Sequence, residues 1–505
     1  MDAMQDPPDL TTQNWLRRFA VLVFALAVSV VPAKMARAQL NAYCQFNQAE
    51  VSRKEALRQS AMQGDAQARQ DYDRLVQQHA RQMQTCRGRS WPQQQATWIR
   101  LYPCDLQPGM LEAVMDRIVN YGYSQVYVEV FYGGSVMLPK ANNPTVWPAL
   151  VQTPGYENRD LLAEAIAKGR ARGLDVSAWV FSLNFGYSYA QRSDRRQVIA
   201  RNGHGEDAYA YATRGATGNP EEIFVDPYSP LAQQDFQRML QAVAQRRPDG
   251  MLFDYIRYPR GLGTESVADG VGDLWIYGNA AQQALFQRAL NNQGLSLIRS
   301  YLSQGYLTEA NIADVQSRFP NEAEPLWQSR IPGSTNGTTS PSARRTILQD
   351  ELWRLSVAHA VQGVVDFLIQ SSEPVQRQGI PTGAVFFPGG NRPVGDRGYD
   401  SRLQHWNRFP TWMGWHPMAY AICGNTGCIV QEIRDVLAQA GPGAERFVKP
   451  VLAGTWGQAY SERPSLESQM QALQRAAPEI QSVSHFAFSW QDPEFDRARK
   501  FCALR

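Results

Sequence analysis

What this 505-residue sequence lacks narrows its function before any motif is weighed. Charge of one sign is missing: 50 Lys and Arg stand against 47 Asp and Glu, a formal charge of +3. No basic stripe concentrates that surplus, which argues against nucleic acid as a partner. Histidine is scarce, with six in the chain, and shows no ligand spacing, so neither metal nor cofactor is expected. Walker loop, Gly-x-Gly-x-x-Gly fingerprint and Gly-x-Ser-x-Gly elbow are all absent, which removes P-loop NTPases, dinucleotide-binding folds and α/β-hydrolases. A membrane-spanning run at the N-terminus is missing too, because the apolar stretch Phe19 to Val31 falls short of the roughly 20 residues such a helix needs. That stretch follows Arg17 and Arg18 and precedes Ala36-Arg37-Ala38, the pattern of a cleaved export signal. Residues 1–38 are therefore read as a signal peptide. The expected mature protein is periplasmic or extracellular, with no stable membrane span.

All six cysteines lie beyond the signal, and an even number in an oxidising compartment points to disulfides. Residues 39–95 read as a helical hairpin arm. Its Gln/Arg/Ala-rich halves meet at Gly64-Asp65, so the returning chain brings Cys44 beside Cys86; one continuous helix would hold those sulfurs about 60 Å apart. Cys423 and Cys428 bracket a short loop. From Trp98 onward, short apolar runs alternate with helix-length segments, as parallel strands with crossover helices do. The candidate strands are Trp98–Tyr102, Gln125–Phe131, Leu174–Phe181, Gly250–Asp254, Gly383–Phe387, Met413–Met418, Val448–Ala453 and Val483–Trp490. Eight such units predict an α/β fold, a (β/α)8 TIM barrel over residues 96–505, with a doubly wound sheet as the alternative. Residues 261–342 form a helical insertion after the fourth strand. That end of a barrel strand is where active sites are built.

Side chains alternate along a strand, so Leu252 and Asp254 share one face of the fourth strand and Met251 and Phe253 the other. With the latter pair against the helices, Asp254 points into the barrel mouth, where a carboxyl is costly to desolvate unless it has partners or a task. A salt bridge to Arg257 is the structural alternative. The same alternation turns Tyr127, Glu129 and Phe131 inward on the second strand. Alternate strands share layers in such barrels, placing the two carboxyls about 5 to 9 Å apart. That range permits the roughly 5–5.5 Å of retaining or the roughly 6.5–9.5 Å of inverting glycosidases. Asp254 is thus the expected nucleophile or base and Glu129 the partner acid, or else a group that holds an Arg or a sugar hydroxyl. Trp179, Asn184, Asp226, Tyr255, Arg257, His416, Tyr420 and Trp490 are candidate substrate contacts at strand ends. For Asp226 a turn or capping role is equally open, and for His416 a hydrogen-bonded structural role.

Five ordered segments carry a family resemblance: Val126-Tyr-Val-Glu-Val130 with Gly133-Gly134, Ala165 to Trp179, Phe224-Val-Asp-Pro227, Asp249-Gly250 with Phe253-Asp-Tyr-Ile-Arg-Tyr-Pro259, and Pro417-Met-Ala-Tyr420. Together they resemble the bacterial glycosyl-hydrolase-like family 10, over roughly residues 96–490. The resemblance implies a TIM barrel acting on glycans, with envelope polysaccharide as a plausible substrate. The expectation is accordingly a secreted glycoside hydrolase with a polysaccharide or oligosaccharide partner. A non-catalytic glycan-binding barrel is the alternative, and a protein-interaction role for the hairpin a third reading.

Overall fold

Eight short runs, most of them apolar, pair side by side and in parallel until the last meets the first. A computed structural model describes residues 42–334 and 340–504, so the expected signal peptide at 1–38 lies outside the described residues. The strands are β1 (Gln94–Ile99), β2 (Gln125–Glu129), β3 (Asp175–Phe181), β4 (Gly250–Asp254), β5 (Thr382–Phe386), β6 (Gly414–Ala419), β7 (Val451–Ala453) and β8 (Ser482–Phe486). They close in sequence order into a single ring. This is the expected (β/α)8 barrel, and the closed ring removes the doubly wound alternative. Several strand ends differ from expectation: the first strand stops at Ile99, the second at Glu129, and the seventh begins only at Val451. The first strand begins earlier, at Gln94, and the last stops at Phe486, where a short helix, Phe488–Gln491, takes up the chain.

Followed strand by strand from Thr97, the register projects back onto β1 at position 89, eight residues away. A stagger of about one residue per strand is what the tilt of such a barrel requires. It decides which inward side chains share a height.

Helices cover the ring in the usual alternation. Beyond the hairpin helices α1 (Gln48–Met62) and α2 (Ala66–Arg87) come α3 (Met110–Asn120), α4 (Leu161–Arg170), α5 (Pro230–Ala244), α6 (Pro341–Gln376), α7 (Thr426–Ala440), α8 (Leu466–Ala476) and α9 (Pro493–Lys500). The α5 start shows the local logic: Ser229 caps it by accepting from the Ala232 N–H, and Pro230 takes the first turn, where no N–H is needed. Between β5 and β6 the described residues form no α-helix; the chain makes a short hairpin, Pro393–Val394 with Gly398–Asp400, and a 3-10 turn, Trp406–Arg408. The insertion after β4 holds helices Asn279–Phe286, Asn292–Gln304 and Glu309–Arg318 before it runs into α6. At 36 residues α6 is long and apolar enough to cross a membrane by length and composition. Most of its apolar stretch is buried in the protein instead, and α6 packs on α5.

Disulfides join Cys44 to Cys86, Cys423 to Cys428 and Cys104 to Cys502. The first clamps the hairpin base as its spacing suggested. The hairpin also docks through charge: Asp116 of α3 accepts from the Tyr72 hydroxyl at 2.6 Å and Arg172 Nε at 2.9 Å, with Lys54 Nζ at 3.7 Å. Burial holds the Lys54 ammonium down at about 8 against the pull of Asp116. Removing the shared carboxylate strands two buried cations, a loss worth about 3–5 kcal/mol. Asp116→Ala should therefore lower the unfolding free energy by about that much in urea melts, and a variant within about 1 kcal/mol of the parent would show the hairpin to be docked by other contacts.

Candidate active site

The inward residues at the C-terminal ends of the strands enclose a cleft. Asp254 lies in it with Trp98, Trp179, Tyr255, Arg257, Val385, Phe387, Met418, Tyr420 and Phe486. Its space is about 530 Å³ with the mouth included. The walls are mainly aromatic and apolar, and Asp254 is the one carboxyl among these lining residues. Its Oδ2 accepts from Trp179 Nε1 at 3.1 Å and its Oδ1 from the Tyr255 N–H at 2.6 Å. The second bond requires the chain to turn sharply, and Tyr255 takes a left-handed backbone at φ 52°, rare for a bulky residue. Such outliers gather at functional sites. Burial pushes the Asp254 carboxyl up to about 6, opposed first by the Tyr255 N–H and then by the Arg257 charge and the Trp179 N–H, while the Glu129 charge adds to the rise.

Glu129 ends β2 and is fully buried. The pairings Glu129–Trp179 and Trp179–Leu252 set it opposite Leu252 along the hydrogen-bonding direction. Two strands of stagger then bring Asp254, not Leu252, to its height. The shared layer inferred from alternation is therefore present in the register. What the sequence did not reveal is Arg100, which donates from Nε to one Glu129 oxygen at 2.8 Å and from Nη2 to the other at 3.0 Å. Burial pushes the Glu129 carboxyl up and the guanidinium draws it back. The salt bridge considered between Asp254 and Arg257 is not formed; Arg257 pairs with Glu222 at 3.5 Å and lies over the Phe224 and Tyr255 rings.

A second chamber adjoins the first, with Tyr255 in both walls. Arg100, Tyr132, Gly133, Gly134, Asn184, Asn219, Glu221 and Glu222 are among its lining residues, and its space is about 480 Å³ including the mouth. The Tyr255 hydroxyl donates to Glu222 Oε1 at 3.0 Å across the boundary.

Of the ten residues singled out from sequence, Asp254, Trp179, Tyr255, Arg257 and Tyr420 meet in the cleft, and Asn184 lies in the second chamber. The other four, Glu129, Asp226, His416 and Trp490, are not among the lining residues of either. Asp226 accepts from the Tyr228 N–H at 2.9 Å and the Ala281 N–H at 3.0 Å, fastening the start of an insertion helix to the barrel. His416 is buried inside the ring beside Trp98 and Tyr127, and burial takes its imidazole well below the usual range. Trp490 meets Phe486 edge to face, 6.0 Å between ring centres, and Arg463 lies over its ring at 5.5 Å. Sequence reading missed Trp98, Phe387, Met418, Phe486, Arg100 and Glu222. For Trp98 and Arg100 a signal existed: they alternate along the extension of β1 as Tyr127 and Glu129 do on β2. Glu222 follows an irregular loop and offered none.

No family model and no curated protein matches the chain, so the ordered motifs remain a resemblance to family 10. Among solved structures it is similar to the PgaB (BpsB) glycoside hydrolase domain from Bordetella bronchiseptica, at 14% identity over 82% of this chain and 99% of that one, with a TM-score of 0.46. It is similar also to a GH20 exo-β-N-acetylglucosaminidase from Vibrio harveyi, at 10% identity over 79% of this chain and 50% of that one, TM-score 0.39. This chain thus spans half the length of the Vibrio enzyme. A GH18 chitinase from Pseudoalteromonas aurantia aligns at 10% identity over 80% of this chain and 98% of that one, TM-score 0.34. These structural neighbours are glycoside hydrolases, and what they have in common with the chain at such scores is the barrel.

A carboxyl whose pKa is raised on folding favours the folded state while it keeps its proton and loses that contribution as pH climbs through the folded value. For Asp254 the window runs from the ordinary 3.8 to about 6, a change of about 3 kcal/mol. Unfolding free energies of the parent and of Asp254→Asn, measured from pH 4 to pH 7, should diverge by about that amount, the parent losing ground as pH rises. A pH-independent difference would place Asp254 in water.

Proposed function

We propose that the Asp254 cleft binds a polysaccharide outside the cytoplasm and hydrolyses a glycosidic bond, with Asp254 as the catalytic acid and base. The observation that carries this reading is a buried carboxyl, held at about 6 among aromatic rings, at the C-terminal mouth of the barrel. Trp98, Trp179, Tyr420 and Phe486 supply flat apolar faces of the kind sugar rings stack upon. With a pKa near neutrality Asp254 can give a proton to the bridging oxygen as its bond to the anomeric carbon breaks. Water then adds at that carbon, and the proton it releases restores the acid.

Glu129 acts here through its charge. Arg100 occupies both its oxygens, which favours the second of the two roles the sequence left open, a group that holds an Arg, and as a positioning residue it helps hold the Asp254 proton. Three disulfides support export to an oxidising compartment. The same grip of Arg100 on Glu129 favours, as a second reading, a barrel that binds glycans without cleaving them, since it leaves Asp254 the one carboxyl lining the cleft.

Incubation with cell-wall and storage glycans, followed by mass spectrometry of the products, separates the two. Cleavage by the parent and a loss of about 10²–10⁴-fold in kcat/KM for Asp254→Asn is the expected outcome. Binding with no product from any glycan would establish the binding module, and full activity in the variant would remove Asp254 from the chemistry.

A further inference from the structure

The second chamber carries an unused donor. Asn184 is almost fully buried, and its Oδ1 accepts from the Gly186 N–H at 3.2 Å and the Ile223 N–H at 3.0 Å. Two backbone donors on one atom fix the amide's orientation, because the opposite placement would set N–H against N–H. The end left over is Nδ2, a double donor, and among the described residues no group of the chain accepts from it. Arg100 lines the same chamber, its Nε and Nη2 committed to Glu129 and its guanidinium lying 4.2 Å from the centre of the Tyr132 ring. Glu222, next in the chain to the Ile223 that bonds Asn184, presents carboxylate oxygens that receive the Tyr255 hydroxyl at 3.0 Å and Arg257 at 3.5 Å. A free donor and an acceptor lining one chamber match vicinal hydroxyls, each of which donates and accepts.

We infer that this chamber is a second sugar subsite, in which Asn184 Nδ2 reads a hydroxyl of the unit next to the one held over Asp254. The inference rests on the reading of the Asp254 cleft as a glycan site. Tyr255 stands between the two chambers and belongs to both, so adjoining units of one chain can occupy them together. Charge defines the substrate class further. Glu129 cancels Arg100, Glu222 offsets Arg257, and Glu221 adds a further negative charge at the wall. An acidic sugar is repelled there, and a neutral oligosaccharide of at least two units is the ligand.

The substitution Asn184→Asp keeps an oxygen for the two backbone donors and turns the free donor into an acceptor. Calorimetric titration of neutral glucose and N-acetylglucosamine oligomers, from monosaccharide to hexasaccharide, against the parent and this variant tests the assignment. The parent should gain affinity with the second unit. The variant should lose about five-fold or more on the longer ligands, the weight of one hydrogen bond, while it binds the monosaccharide as the parent does. That retained binding also reports that the variant is folded. An equal gain with length in both proteins, or none in the parent, would overturn the subsite and leave the Asp254 cleft standing. Failure of the parent to bind any oligomer in either series would overturn both readings.

Discussion

Taking a carboxylate out of water inside a ring of strands is the constraint around which this molecule is arranged. Each inward acid must find donors, and the donors it finds decide what it can do. Glu129 meets a guanidinium that covers both its oxygens. Asp254, in the same layer, meets an indole N–H and a backbone N–H, neither of them charged. Two acids of similar chemistry and similar depth are thereby separated by their partners, one ion-paired and the other held by uncharged donors. The separation needs the ring to be closed, because only the stagger of closed strands puts them at one height.

Support for this arrangement reaches the far end of the chain. Arg499 of α9 donates from Nη2 to the Arg100 carbonyl at 3.0 Å and pairs with buried Asp105 at 2.7 Å. The C-terminal helix thus holds the backbone of the residue that holds Glu129. On the neighbouring helix the Asp116 cluster ties the hairpin to α3, which itself meets α9 where Arg117 lies over the Phe495 ring, and each cation of the cluster has the same carboxylate as partner. In both places a buried charge has an ionic partner and further hydrogen bonds, the condition under which burial of ions is tolerated.

Much of the fold was legible in the sequence because it depends on local pattern. Period-two alternation and short apolar runs marked all eight strands, glycine and spacing marked the hairpin, and the inward direction of Asp254 followed from Met251 and Phe253 needing the helix layer. What escaped depends on contacts between segments far apart in the chain. Arg100 and Glu129 meet only because β1 lies beside β2 in a given register. Asp226 reaches Ala281 through the folded insertion. His416, read from sequence as a group near a strand end, lies in the middle of β6, and its ring packs with Trp98 and Tyr127 inside the barrel. Alternation gives direction but not depth. Depth comes from the tilt of the strands.

The bond between Cys104 and Cys502 changes how the chain would respond to a proteolytic cut. It joins the turn after the first strand to the C-terminal tail, 398 residues on, and so makes nearly the whole barrel a covalent loop. A single cut anywhere within that loop opens it without freeing a fragment, because both new ends remain tethered through the sulfurs. The pieces keep one another at high effective concentration. A barrel nicked in its long insertion would in this way remain one molecule.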